Sequence, residues 1–434
     1  MRKGGWQLWA GLLLVGGGIL LISFAWSGAG PGSRMVQPSP IPPALTPEPI
    51  IPTRTPAGQV ATDTPIVVVA PTGTAVAVST IIATPTDAVT ATPFAVLNPT
   101  SPAQTPLPDA IATVIPQITP TLQEPGRGGA LWLGRPRWGV GVAIGPLSQY
   151  DNIESLHLGW YLDWRTRADP PRPGDIAYTQ MVWLRGGILR PDVGAIATIA
   201  QANPGSLWLV GNEPDVIWQD NVDPTTYARM YHDAYAAVKG ADPTAQVAIG
   251  GVSQPTPLRL RYLDEILSAY REQFGVEMPI DVWNVHNFIL REERGSWGVD
   301  IPPGLPDDQG TLYEIDDSGN MEIFRQQIVD LRRWMAQRGC QDRPLIISEY
   351  GILMPADYGF PPERVAAFMT ATFDFFLTAA DSTLGYPADD YRLVQAWCWY
   401  SLDDLADHYP TGNLFDPQTG AMTALGEAWV RYVE

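Results

Sequence analysis

Ser206-Leu-Trp-Leu-Val-Gly-Asn-Glu213-Pro214-Asp215 decides how this chain folds. A short apolar run, rich in β-branched and aromatic residues, stops at turn-forming residues. That is the pattern of a buried parallel strand delivering a carboxylate at its C-terminal end. Pro344-Leu-Ile-Ile-Ser-Glu349-Tyr350-Gly351 repeats the arrangement later in the chain.

Outward from these two runs, strands are expected at Trp138 to Ile144, Leu156 to Asp163, Ala177 to Trp183, Ser206 to Gly211, Gln246 to Gly251, Asp281 to His286, Pro344 to Glu349 and Leu393 to Trp399. Amphipathic segments separate most of them: Asp192 to Gln201, Pro224 to Lys239, Leu258 to Phe274, Met321 to Arg338, Pro362 to Ala380 and Met422 to Tyr432. The two earliest connections are weak as helices. Strand-helix alternation repeated in this way predicts an α/β fold, a (β/α)8 TIM barrel over residues 127–434. A doubly wound open sheet is the alternative, and the lack of a Gly-rich loop after the first strand counts against it.

The first 126 residues have a different texture. Arg2 and Lys3 precede an uncharged stretch from Trp6 to Trp26, long enough at 21 residues to cross a bilayer. Residues 1–30 are therefore expected to be a transmembrane anchor, with a cleaved signal peptide ending near Ser27 and Ala29 as the rival. Either sends the remainder out of the cytoplasm, so the chain is expected at the cell membrane or secreted. Residues 31–126 are rich in Thr, Pro, Ala and Val, with Thr-Pro pairs as in Thr53-Arg-Thr-Pro56 and Pro116-Gln-Ile-Thr-Pro120. Such a segment lacks the period and the backbone donors of a packed core and is expected to be a disordered, extended stalk.

Charge and cysteines narrow the possible partners. The chain carries a formal charge of −19; residues 1–126 hold four basic and five acidic side chains, leaving 23 basic and 41 acidic, or −18, for the remainder. Nucleic acid is excluded as a partner on this balance, because its binding rests on basic clusters. Cys340 and Cys398 fall at opposite ends of adjacent proposed strands, which argues against a disulfide. The histidines, His157, His232, His286 and His408, show no i,i+4 ligand pair. No metal and no cofactor are expected.

Parallel barrels carry their chemistry at the C-terminal edge of the sheet. On barrel numbering Glu213 ends the fourth strand and Glu349 the seventh, across the mouth from one another. Two carboxylates converging there are what cleavage of a glycosidic bond needs, one to protonate the leaving oxygen and one to attack or to activate water. In Asn212-Glu213-Pro214 and Ser348-Glu349-Tyr350-Gly351 the chain resembles the glycoside hydrolases of clan A, over about residue 130 to the C-terminus. The resemblance implies retention by double displacement on a β-linked glycan, with Glu213 as acid/base and Glu349 as nucleophile. It also implies that Asn212 contacts the sugar 2-hydroxyl and that His286, in Val282-Trp-Asn-Val-His-Asn-Phe288, lies near the nucleophile. Phe288 stands where the clan often has tyrosine and lacks its hydroxyl. The eighth strand, Gln395-Ala-Trp397-Cys-Trp399-Tyr-Ser-Leu-Asp403, is similar to the clan's strand with a tryptophan under the reacting sugar; Trp399 is the expected platform and Trp397 the second candidate. Tyr350 and Asp163 complete the expected substrate contacts. Trp160, Trp164, Trp218 and Trp297 fall in expected upper loops, where indoles can stack on sugars or simply pack.

The long connection from Asn287 to Asn320 is expected to shape the cleft. The expected partner is an oligo- or polysaccharide, met by a monomer tethered through its N-terminal segment. Two other classes fit the same pattern: a barrel that binds surface carbohydrate without turnover, and a structural spacer that binds no sugar.

Overall fold

The computed structural model describes residues 134–405 and 410–434. The expected anchor, the stalk and His408 lie outside the described residues. Among the described residues no helix is long and apolar enough to cross a membrane.

The strands are β1 (Trp138–Val142), β2 (Trp160–Leu162), β3 (Ala177–Tyr178), β4 (Gln180–Val182), β5 (Leu207–Asn212), β6 (Gln246–Gly251), β7 (Trp283–His286), β8 (Leu345–Tyr350) and β9 (Ala396–Asp403). Only Thr179 separates β3 from β4, so the two form one barrel strand whose halves bond to different neighbours, β3 to β2 and β4 to β5. Every ladder is parallel. One sheet runs β3-β2-β1-β9-β8-β7 and the other β4-β5-β6. Single parallel bridges, Ala248 with Val282 and Val252 with Val285, join β6 to β7. With β1 paired to β9, the ring of eight barrel strands closes.

The connecting helices are α1 (Val193–Ala202), α2 (Pro224–Ala241), α3 (Pro257–Phe274), α4 (Met321–Gln337), α5 (Pro362–Thr378) and α6 (Ala424–Val433). Local sequence starts them. Asp192, Asp223 and Asn320 each accept a backbone N–H of the first turn, and Pro224, Pro257 and Pro362 open α2, α3 and α5. Their buried faces follow the helical period, as with Tyr227, Tyr231, Ala234 and Val238 on α2. The links after β1 and β2 hold only short turns, Leu147–Gln149, Ile153–Leu156 and Pro173–Asp175. Both cysteines are free thiols.

Register places the two carboxylates. Asn212 at the end of β5 pairs with Gly251, and His286 at the end of β7 pairs with Glu349 on β8. The ladders β7–β8, β8–β9 and β1–β9 all slip toward their C-terminal ends, so irregularity collects at the edge where the site lies.

Candidate active site

Glu213 follows β5 with a left-handed backbone, φ 42°, a conformation uncommon outside glycine. Its loop is fixed from two sides. Glu213 N donates to Gly251 O at 3.1 Å, and Val216 N donates to Glu213 O at 3.1 Å. Two residues on, Asp215 accepts from Arg259 Nε at 2.6 Å and from Ser253 Oγ at 2.8 Å. Arg259 also holds Glu292 and reaches the carbonyls of Val299 and Asp300, at 3.2 Å each. One fully buried guanidinium therefore ties the Glu213 loop to the long connection after β7.

Glu349 lies on β8 and Asp215 reinforces Glu213, yet the link between the two glutamates is His286. Its Nδ1 lies 3.0 Å from Glu213 Oε1 and its Nε2 3.9 Å from Glu349 Oε2. One donor atom from each of Glu213, His286 and Glu349 falls within 4.8 Å of the others. A metal ion could share those atoms, and acid–base chemistry needs none. The imidazole fits because β6 ends in glycine: a Cβ at Gly251 would come 2.5 Å from His286 Cδ2. Trp164, in the loop after β2, donates its indole N–H to Glu349 Oε2 at 3.1 Å and meets Tyr400 edge to face at 5.7 Å. Gly141 makes room for that indole, since a Cβ there would sit 2.6 Å from Trp164 Cη2.

Burial governs the electrostatics. Glu213 is fully buried and Glu349 is 1% exposed. Loss of water raises the Glu213 carboxyl well above its ordinary range; the charge of Asp215 adds to this and Arg259 opposes it. Burial likewise pushes Glu349 up to about 7, with Glu213 adding and His286 and the Trp164 N–H opposing. His286 is pulled down by burial and stays neutral. One oxygen of each carboxyl, Glu213 Oε2 and Glu349 Oε1, has no hydrogen-bond partner in the protein. These are the atoms left for a ligand.

A family model described as a glycosyl hydrolase catalytic core matches residues 141–297. That match, over 157 of the 434 residues, supports a glycoside hydrolase. The matched stretch takes in Asn212, Glu213 and His286 and ends before Glu349. Among solved structures, the chain is similar to a GH128 (subgroup II) endo-β-1,3-glucanase from Sorangium cellulosum, at 18% identity and a TM-score of 0.46, over 68% of this chain and 98% of that one. It is similar to another of that subgroup from Pseudomonas viridiflava, at 17% and 0.46, over 68% and 96%. A GH128 (subgroup III) curdlan-specific exo-β-1,3-glucanase from Blastomyces gilchristii gives 17% and 0.44, over 68% and 97%. No curated protein matches the sequence.

Around this site several expected contacts fall elsewhere. Trp397 packs on Phe373 and Phe376 of α5, outside the barrel, because it points to the helical layer. Trp399 shares that face: it is fully buried, meets Tyr350 edge to face at 5.3 Å and donates to Gly412 O at 2.8 Å. It offers no platform to a sugar. Tyr350 also faces outward, against Phe324 and Phe376, with its hydroxyl on Thr372. Asp163 is occupied by Arg167, at 2.7 Å from Nε, and by the Tyr178 hydroxyl at 2.6 Å. Asn212 keeps its place beside Glu213, its Nδ2 3.4 Å from Gln219 Oε1. Arg185 donates to the carbonyls of Gln219 and Trp218, at 3.0 Å each. Phe288 packs edge to face on His286 at 6.2 Å.

Tyr400 was missed at the sequence level. It is the aromatic of β9 that meets Trp164, and its hydroxyl binds Asp404 at 2.7 Å. Alternation along Trp397, Trp399 and Tyr400 was the available signal. The two glycines that admit Trp164 and His286 were a second one, visible as Gly139-Val-Gly141 and Gly250-Gly251.

Proposed function

We propose that this hydrolase cleaves a β-linked glycan with retention of configuration, as a clan A enzyme would. The observation that carries this is the convergence of Glu213 and Glu349, whose nearest oxygens lie within 4.8 Å. Retaining catalysis uses carboxyl groups roughly 5 Å apart, and the inverting geometry needs about 6.5 Å or more to admit a water.

Glu213, protonated through burial, gives its proton to the glycosidic oxygen from Oε2. Glu349, ionised, attacks the anomeric carbon from Oε1. Formation of the glycosyl ester removes the negative charge of Glu349, so Glu213 loses part of what holds its proton and becomes the base that activates water. Neutral His286 fixes the distance between the two and adds no charge. Asn212 meets the 2-hydroxyl, and Tyr400 with Trp164 forms the aromatic wall of the pocket. A sugar ring reaching Glu349 must lie on, or displace, the Trp164 indole. The enzyme works outside the cytoplasm, carried there by the apolar segment from Trp6 to Trp26; support for this comes from the sequence alone.

The near-complete burial of both glutamates favours a second reading, a barrel that holds glycan without turnover. The test is turnover of aryl β-glycosides and of β-glucans, with the anomeric product followed by NMR. Retention is expected, with losses of about 10³-fold or more in Glu213→Gln and Glu349→Gln. Inverted product sinks the double displacement, and binding without any turnover selects the second reading.

A further inference from the structure

The loop that follows Glu213 encloses a second feature that the reaction itself leaves unused. Residues 217–221 and the turn after β4 at Arg185 and Gly186 line a cleft of about 540 Å³. Trp218 stands in it with 46% of its surface exposed, one of few large apolar side chains left to solvent among the described residues. Below lies Gln219, 2% exposed, whose Nε2 has no hydrogen-bond partner in the protein. Beside it Asp220, 1% exposed, accepts from Asn212 N at 2.8 Å through Oδ2 and also faces the backbone N–H groups of Leu184 and Arg185.

Burying a donor without a partner costs about 1–3 kcal/mol, and Gln219 Nε2 is such a donor on a residue that lines an open cleft, where a ligand can satisfy it. The cleft is also rigid. Arg185 clamps its wall by donating to Trp218 O and Gln219 O at 3.0 Å each, which spends the guanidinium on the loop and leaves its charge partly satisfied. A half-exposed indole over an unpartnered donor is the chemistry that recognises a neutral pyranose ring, with an apolar face to stack and hydroxyls that accept. An anionic sugar would face the Asp220 carboxylate.

We propose that this cleft is a subsite for a further neutral glycosyl unit, continuous with the reaction centre through the Gln219–Asn212 contact. It rests on the glycan reading of Glu213 and Glu349 and adds to it where a further sugar unit of the chain is held. Trp218 stacks on the sugar ring and Gln219 Nε2 donates to one of its hydroxyls.

The experiment uses the full chain carrying Glu349→Gln, titrated by calorimetry and by tryptophan fluorescence with β-1,3- and β-1,4-linked glucose oligomers of two to six units. Affinity is expected to rise with length in one series and to fall roughly ten-fold for the longer oligomers when Trp218→Ala is added. Trp218→Phe is expected to recover most of the loss, which a merely structural role would not require. Equal affinity with and without the Trp218 indole overturns the proposal, as does the absence of binding in both series. Turnover by the unsubstituted chain separates the two readings: oligomers bound through Trp218 without cleavage sink the hydrolytic mechanism and keep the subsite. Cleavage that is insensitive to Trp218→Ala at every length sinks the subsite and keeps the mechanism.

Discussion

Glu349→Gln should abolish turnover and make the protein more stable, but only at high pH. Burial lifts the Glu349 carboxyl from the ordinary 4.5 to about 7. An acid whose folded-state pKa lies above its unfolded value holds its proton more tightly when folded. Its stabilising effect is complete below about 4.5 and is lost as pH rises to about 7. Each pH unit of that interval corresponds to about 1.4 kcal/mol, so ionised Glu349 costs the fold about 3 kcal/mol at pH 8. Glutamine keeps the shape and still accepts from Trp164 Nε1, yet cannot ionise. The variant is therefore expected to gain up to about 3 kcal/mol over the parent at pH 8, about 5 °C in Tm for a domain of this size, and nothing at pH 4. Glu213 titrates in both proteins, so most of its contribution cancels in the difference. Urea and thermal unfolding at pH 4, 6 and 8 measure it. A difference that stays constant across pH would show that Glu349 is not held in a desolvated site, and the electrostatic basis for its role would go with it.

Three further outcomes are expected. Trp164→Phe removes the N–H that favours ionised Glu349, a contact worth about 1.5–3 kcal/mol; the acidic limb of the kcat/KM profile should move up by about one pH unit, and an unmoved limb would detach Trp164 from the titration of Glu349. Gly251→Ala puts a methyl 2.5 Å from His286 Cδ2, so the imidazole must shift; kcat should drop about ten-fold or more with circular dichroism unchanged, and full activity would show that the His286 bridge is dispensable. Arg259→Met leaves Asp215 and Glu292 buried without their cation, at a cost of about 3–5 kcal/mol in denaturant unfolding. A cost below about 1 kcal/mol would mean that other contacts hold the Glu213 loop.

Much of this molecule was legible from periodicity. Strand runs that are apolar on both faces and helices with one apolar stripe differ in period and length, and the six helices lie within a few residues of their expected ends. The capping residues Asp192, Asp223 and Asn320 explain that accuracy, since each carries its own start signal. The third strand was less legible. Ala177 to Trp183 reads as one run, while the chain breaks its ladder at Thr179 to turn from one neighbour to the next, a demand set by barrel closure and not by local propensity. His286 between the glutamates depends on contacts across more than sixty positions in either direction, so spacing could suggest its neighbourhood but not its bond to Glu213.

The aromatic residues of the last strand show where such reasoning stops. Trp397 and Trp399 have the same parity, so both had to face the same way, and that much was readable. Which way is decided by register against β8, where Ile347 pairs with Trp397 but Tyr350 pairs with Trp399 across an irregular step. A single inserted residue exchanges the faces of everything beyond it. With that step, Glu349 and Tyr400 both meet Trp164 while Tyr350 and Trp399 point to the helices. The aromatic ring that meets Trp164 from β9 is thus a tyrosine whose hydroxyl is bound to Asp404, and Tyr400→Phe should remove that bond while keeping the ring, with Asp404 still held by Leu405 N. If Tyr400 serves as an aromatic wall, Tyr400→Phe retains kcat/KM within a few-fold while Tyr400→Ala loses it; equal losses in both would place the function in the hydroxyl and Asp404 instead.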